Sequence, residues 1–151
     1  GSAWLLVVLS FVSVVGQFCF ERKEDWQAVH RHLSALPSEP RLLVFVGNDG
    51  EIALEYYERR RGRIAADRTG LPAPFYAAKP PRAMQRIGSV EDLAPLRSVE
   101  GYSSIILIGT HMSWSDPAGL ALAYLLENYR SIARHGFNGV HVEHFKPKEL
   151  P

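Results

Sequence analysis

The sequence is short of cysteine, of net charge and of signature glycines, and each shortage removes a class of function. Cys19 is the only cysteine, so an internal disulfide and a cysteine-based zinc site are both excluded. Seventeen basic residues against sixteen acidic ones leave a formal charge of +1, too little to draw the chain to nucleic acid or to an acidic partner. The one basic cluster, Arg59-Arg60-Arg61-Gly62-Arg63, fits the solvated C-terminal end of a helix. Gly47 and Gly50 follow an apolar run, but neither Gly-x-Gly-x-x-Gly nor Gly-x-x-x-x-Gly-Lys-Ser/Thr occurs, so no nucleotide is expected. No other cofactor and no metal is expected either. His30 and His32 point to different sides of their helix and read as surface residues. Strand alternation sets Glu143 on the face opposite Val142 and His144, so His141, Glu143 and His144 form no local ligand set.

What is present begins with Ala3 to Phe20, an apolar run without a charge. As a helix it would cover roughly 27 Å, close to the roughly 30 Å hydrocarbon core of a bilayer. Its valines, together with Ser10, Ser13, Gly16 and Gln17, also suit a long buried helix or a pair of strands. A secretory signal is not expected, since no basic segment precedes the run and no small-residue cleavage site follows it. Gly1-Ser2-Ala3 reads as a cloning scar, so the natural protein is expected to be longer. Residues 1–20 are thus assigned to an apolar segment, the expected end of a last membrane helix, and 21–151 to a water-soluble domain.

Periodicity supplies the elements of that domain. Lys23 to Leu36 predicts a helix, with Trp26, Val29, His30 and Leu33 at spacings of three and four, stopped by Pro37 and Pro40. Arg41 to Gly47 is a continuous apolar run of the kind that suits a strand covered on both faces. Asn48 and Glu51 suggest a capping-box variant opening a helix from Gly50 to Arg61. A short edge strand or loop is expected near Ala73 to Ala78, and Ser89-Val90-Glu91-Asp92 caps a short helix that turns Leu93 and Leu96 inward. Ser103 to His111 is the second buried strand. Asp116-Pro117 predicts the start of a helix to His135, striped by Leu122, Leu125, Leu126, Tyr129 and Ile132 and closed by Gly136. Gly139 to Phe145 alternates and predicts a last strand, half exposed and near a sheet edge.

This order predicts an α/β fold: a small three-layer Rossmann-like sandwich on a mostly parallel three- or four-stranded sheet, preceded by an apolar N-terminal helix. Ligands of such folds favour the loops after the carboxyl ends of strands. The candidate pocket therefore lies between Gly47-Asn48-Asp49-Gly50 and Thr110 to Asp116, with Asn48, Asp49, His111 and Asp116 as its polar groups and Tyr57 on the following helix. Acid, base and hydrogen-bonding types converge there, and Ser113 or Ser115 could be a nucleophile. Capping and turn formation account for Asn48, Asp116, Gly47 and Gly50 equally well. Val46-Gly47-Asn48-Asp49 echoes one block of SGNH-type hydrolases, but the Gly-Asp-Ser and Asp-x-x-His blocks those enzymes need are absent.

An apolar segment running into Lys23-Glu24-Asp25-Trp26, an amphipathic helix, the strand Leu42 to Val46 and a helix bearing Leu54-Glu55-Tyr56-Tyr57 together resemble the C-terminal soluble domain of bacterial GT-C-type membrane glycosyltransferases. These are relatives of the protein O-mannosyltransferases and use polyprenyl-phosphate sugars. Ser104 to Ile108 and Phe137-Asn138-Gly139-Val140 fit the same layout, so the resemblance spans most of the chain through short motifs. It implies a non-catalytic extracytoplasmic domain at the bacterial inner membrane. Such a domain would pack on the membrane part of its parent, aid acceptor binding or stability, and meet a glycan or lipid-linked sugar; the family's catalytic acids lie on loops between membrane helices, so no catalytic residue is carried over. Arg22 and Lys23 directly after the span run mildly against that orientation. The alternatives are a free-standing small α/β hydrolase-like enzyme using Asp49, His111 and Asp116, and a membrane-anchored binding module. The apolar segment could also join two copies in a homodimer.

Overall fold

The computed structural model describes residues 24–77, 85–97, 99 and 101–148. The apolar run Ala3 to Phe20 lies outside them. No helix among the described residues is long and apolar enough to cross a membrane.

The chain enters through helix α1 (Trp26–Ser34), whose cap Asp25 accepts a hydrogen bond from the Ala28 amide at 2.9 Å. Strand β1 (Arg41–Val46) is buried along its whole length and leads into α2 (Gly50–Arg61). A strand the sequence did not announce, β2 (Asp67–Leu71), follows. The segment expected near Ala73 as a short edge strand or a loop is a loop with a 3-10 turn, Phe75–Ala77; Ala78 lies outside the described residues. A 3-10 turn at Val90–Leu93 runs into α3 (Ala94–Arg97), and Asp92 accepts from the Gly88 and Ser89 amides at 2.7 and 3.0 Å. Leu93 and Leu96 are buried, as their spacing predicts. Then come β3 (Ser104–Thr110), the short α4 (Met112–Ser115), α5 (Leu120–Asn128), β4 (Tyr129–Phe137) and β5 (Val140–Pro147).

Five strands form one mixed sheet in the order β2-β1-β3-β5-β4. The pairs β1–β2 and β1–β3 are parallel; β3–β5 and β5–β4 are antiparallel. The expected Rossmann-like sandwich on a mostly parallel sheet of three or four strands is therefore not the architecture. The reason lies in the predicted helix Pro117 to His135, which ends at Asn128. Beyond it Tyr129 to Phe137 alternates half-buried and exposed positions as strand β4, and Asn138-Gly139, with Gly139 at φ +71°, turns it straight back into β5. Asn-Gly between strands is a hairpin signal, and here Gly139 alone takes the positive φ that closes the turn. β5 is consequently an interior strand between β3 and β4, not an edge.

Helices cover both faces of the sheet. On one, Trp26, Val29 and Leu33 of α1 and Leu54 of α2 pack over Leu43, Phe45, Ile106, Ile108, Val140 and Val142. On the other, Leu93, Leu96, Ala121 and Leu125 pack over Leu42, Val44, Ile105, Leu107 and Phe145. His30, read as a surface residue, is buried, with its Nε2 2.9 Å from the Gly62 carbonyl at the end of α2. The start of α1 is pinned at the opposite corner: the Asp25 amide donates to the Asn138 carbonyl in the β4–β5 turn at 2.9 Å.

Candidate functional site

β1 leaves the sheet toward the α1/α2 face and β3 toward the α5 face, so two adjacent parallel strands send their chains to opposite sides. At such a point ligands of open α/β sheets bind in the crevice outside the carboxyl ends of the strands. Asp49 follows β1 here, and His111 follows β3.

His111 is the one described non-glycine residue at positive φ, +47°. Such backbone is uncommon for a side chain bearing Cβ, and it gathers at functional sites. Its imidazole is more than half exposed and brings Nε2 within 3.0 Å of Glu24 Oε1. The contact is electrostatic and not a directed hydrogen bond, since Oε1 has no hydrogen-bond partner; Oε2 accepts from the Trp26 indole at 2.6 Å. Asp49 Oδ1 and Thr110 Oγ1 are buried and likewise without a partner. Burial, and then the nearby charge of Glu24, push the Asp49 carboxyl above its ordinary range, against the pull of His111 and the Asp49 and Gly50 amides. Two carboxylates and an exposed imidazole thus share one end of the sheet with spare hydrogen-bonding capacity. Glu24, from a segment 25 residues before Asp49, is the member that strand-end reasoning missed, since no local pattern points to it.

A carboxyl raised in the fold contributes stability that is complete below its unfolded value, near 3.8, and lost as pH rises through the folded value. Asp49→Asn removes the ionisable group. It should therefore stabilise the protein at neutral pH, and urea titrations at descending pH should show that gain shrinking toward zero.

The remaining predicted site residues are used elsewhere. Asp116 is buried and caps α5, its two oxygens accepting from the Leu120 and Ala121 amides at 2.8 and 2.9 Å. Ser115 Oγ donates to the Thr110 and His111 carbonyls at 2.9 and 3.1 Å. Asn48 is buried and bridges two chain segments, donating to the Ala73 carbonyl and accepting from the Gln85 amide. Glu51, its presumed capping-box partner, instead accepts from the Phe75 amide at 2.8 Å. Tyr57 lies about 12 Å along α2 from Asp49, packed against the cluster under α1 and edge-on to Tyr56. So the crevice keeps Asp49 and His111 of the five.

Comparison with protein-family models, with curated proteins and with solved structures finds no match to this chain. The site must be read from its own geometry. A cavity of about 540 Å³ lies away from the crevice, along α2 and β2, lined by Glu51, Glu55, Glu58, Arg59, Arg68 and Tyr76. Several of its charges are matched within it: Arg59 and Tyr76 donate to Glu55 at 2.6 and 2.7 Å, and Arg68 donates to Glu58, while Arg63 also lines it.

Proposed function

We propose that the chain is a non-catalytic extracytoplasmic domain of a bacterial membrane glycosyltransferase that draws on a polyprenyl-phosphate sugar, and that its crevice contributes to holding the acceptor. The observation that carries this reading is the make-up of the crevice. Glu24, Asp49 and His111 offer carboxylate acceptors and an imidazole suited to ligand hydroxyls, yet among the described residues no hydroxyl or thiol is hydrogen-bonded to the His111 ring. Nucleophilic catalysis needs that pairing; Ser115 is spent on the loop carbonyls, Ser113 makes no bond to the ring, and the Asp116 carboxylate is spent on the α5 cap. The hydrolase-like alternative loses its support for the same reason. The resemblance adds a second line: Asp25-Trp26 opens α1, Leu42 to Val46 lies within β1, Tyr56-Tyr57 sits on α2 and Phe137 to Val140 makes the last turn.

The test is the parent reading frame together with an assay. Upstream of Ala3 it should encode many hydrophobic spans, and the isolated chain should turn over neither a polyprenyl-phosphate sugar nor general ester, phosphoester and glycoside substrates. A parent without further spans, or turnover that disappears in His111→Ala, sinks the reading.

A further inference from the structure

Three histidines that sequence spacing keeps apart meet at the other end of α1. His32 lies in the last turns of α1, His135 on β4 and His144 on β5. Cross-strand register explains the convergence. His135 faces Val142 and Ala133 faces His144, so β4 and β5 bring both rings to the face that α1 covers. His32 Nε2 is 3.0 Å from His144 Nε2. Ring centroids are 4.3 Å apart for His32–His135 and 5.5 Å for His135–His144. One nitrogen from each of the three lies within 4.8 Å of the other two.

Imidazole nitrogens bound to zinc at about 2.0–2.1 Å in tetrahedral geometry stand about 3.3 Å apart. The His32–His144 separation is already near that value, and the third ring needs only a small rotation. Two half-buried rings and one buried ring leave a side open to solvent. Three histidines and a water make a recognised zinc coordination set, and imidazole also suits copper and nickel. Arg41 is the cation nearest in character to an objection, but Glu39 lies 3.6 Å from its guanidinium and its Nη2 is tied to the Pro37 carbonyl at 2.6 Å. Phe137 stands 5.5 Å from the His32 ring and gives the cluster an apolar wall.

We propose that His32, His135 and His144 bind one divalent transition-metal ion of the zinc class, clamping α1 to the β4–β5 hairpin. The site is independent of the acceptor-holding crevice and of the glycosyltransferase reading. A metal there would link helix to sheet where the described residues otherwise meet mainly through apolar contact.

The whole chain, stripped with chelator, should take up one equivalent of Zn²⁺ in calorimetric titration and melt at a higher temperature once loaded. Co²⁺ in its place should show the visible absorption of a four- or five-coordinate site. His135→Ala, on the edge strand, and His32→Gln should each weaken binding by at least about 100-fold, with the fold checked by circular dichroism. His141→Ala, whose ring contacts Glu143 on the opposite face at 3.1 Å, should bind as the parent does. No saturable uptake by the stripped chain overturns the proposal, as does binding that folded His135→Ala and His32→Gln both retain. Should one of the two fail to fold, the other decides alone.

Discussion

Gly47→Ala should destabilise the protein by about 3 kcal/mol, seen as a fall in the urea midpoint with little change in slope. Two separate costs combine. Gly47 sits at φ +80°, where a side chain costs about 1 kcal/mol. An added Cβ would also lie 2.6 Å from Thr110 Oγ1 and 3.0 Å from the Thr110 carbonyl oxygen. The hydroxyl could rotate away; the carbonyl belongs to the central strand β3 and could yield only by spreading β1 from β3, at about 1–3 kcal/mol. Gly119 separates the two costs. It shares the positive φ, at +66°, but a Cβ there meets nothing within 4 Å, so Gly119→Ala should lose about 1 kcal/mol. Equal losses at the two positions would show that the crevice is not as tightly closed as this geometry requires.

Phe45→Ala should cost more, about 3–5 kcal/mol, a large share of the 5–15 kcal/mol typical of a domain. Phe45 is fully buried on β1 and is among the largest side chains so enclosed. Its position is tight: a Cβ on Gly50 would come within 3.1 Å of the Phe45 ring and 2.8 Å of the Trp26 ring. The two rings and the bare glycine thus fit together where α1, α2 and β1 meet. Removing the phenyl opens a cavity beneath both helices that Trp26 cannot fill without leaving Glu24, to which its indole donates. Denaturant melts should register the loss, and the Trp26 fluorescence should shift to the red. A loss under about 1 kcal/mol would mean that the helices collapse onto the sheet more freely than this packing allows.

These two positions also mark what the sequence could and could not reveal. β1 and β3 stood out because strands covered on both faces need continuous apolar runs, and Leu42 to Val46 and Ile105 to Ile108 are such runs. α2 was legible to the residue. The error at Tyr129 to Phe137 has a specific cause: Leu122, Leu125, Leu126, Tyr129 and Ile132 keep helical spacing across a chain that in fact changes state at Asn128, and Leu126 and Ile132 prove to be exposed. Asn138-Gly139 was the competing signal, and hairpin chemistry prevailed over the stripe. β2, Asp-Arg-Thr-Gly-Leu, lacks an apolar run because it lies on the sheet edge and is held by its parallel register with β1. Within the site, Asp49 and His111 were findable because they follow strands. Asp116 suited either a cap or a ligand, since both call for a carboxylate, and it serves as the cap of α5. Neither Glu24 nor the His32–His135–His144 cluster could have been found, since those contacts join residues whose separation along the chain carries no period.

The bond between the Asp25 amide and the Asn138 carbonyl ties the start of α1 to the β4–β5 turn. It holds Glu24 at the pole that also carries Asp49 and His111. At the far pole lie the first residues of the parallel strands, where the Ser103 amide reaches the Pro40 carbonyl and Tyr102 donates to Asp67. A Cβ on Gly139 would lie 2.8 Å from Glu24 Cγ, so the β4–β5 turn and the carboxylate beside His111 constrain one another, and a change in either would be felt by the other.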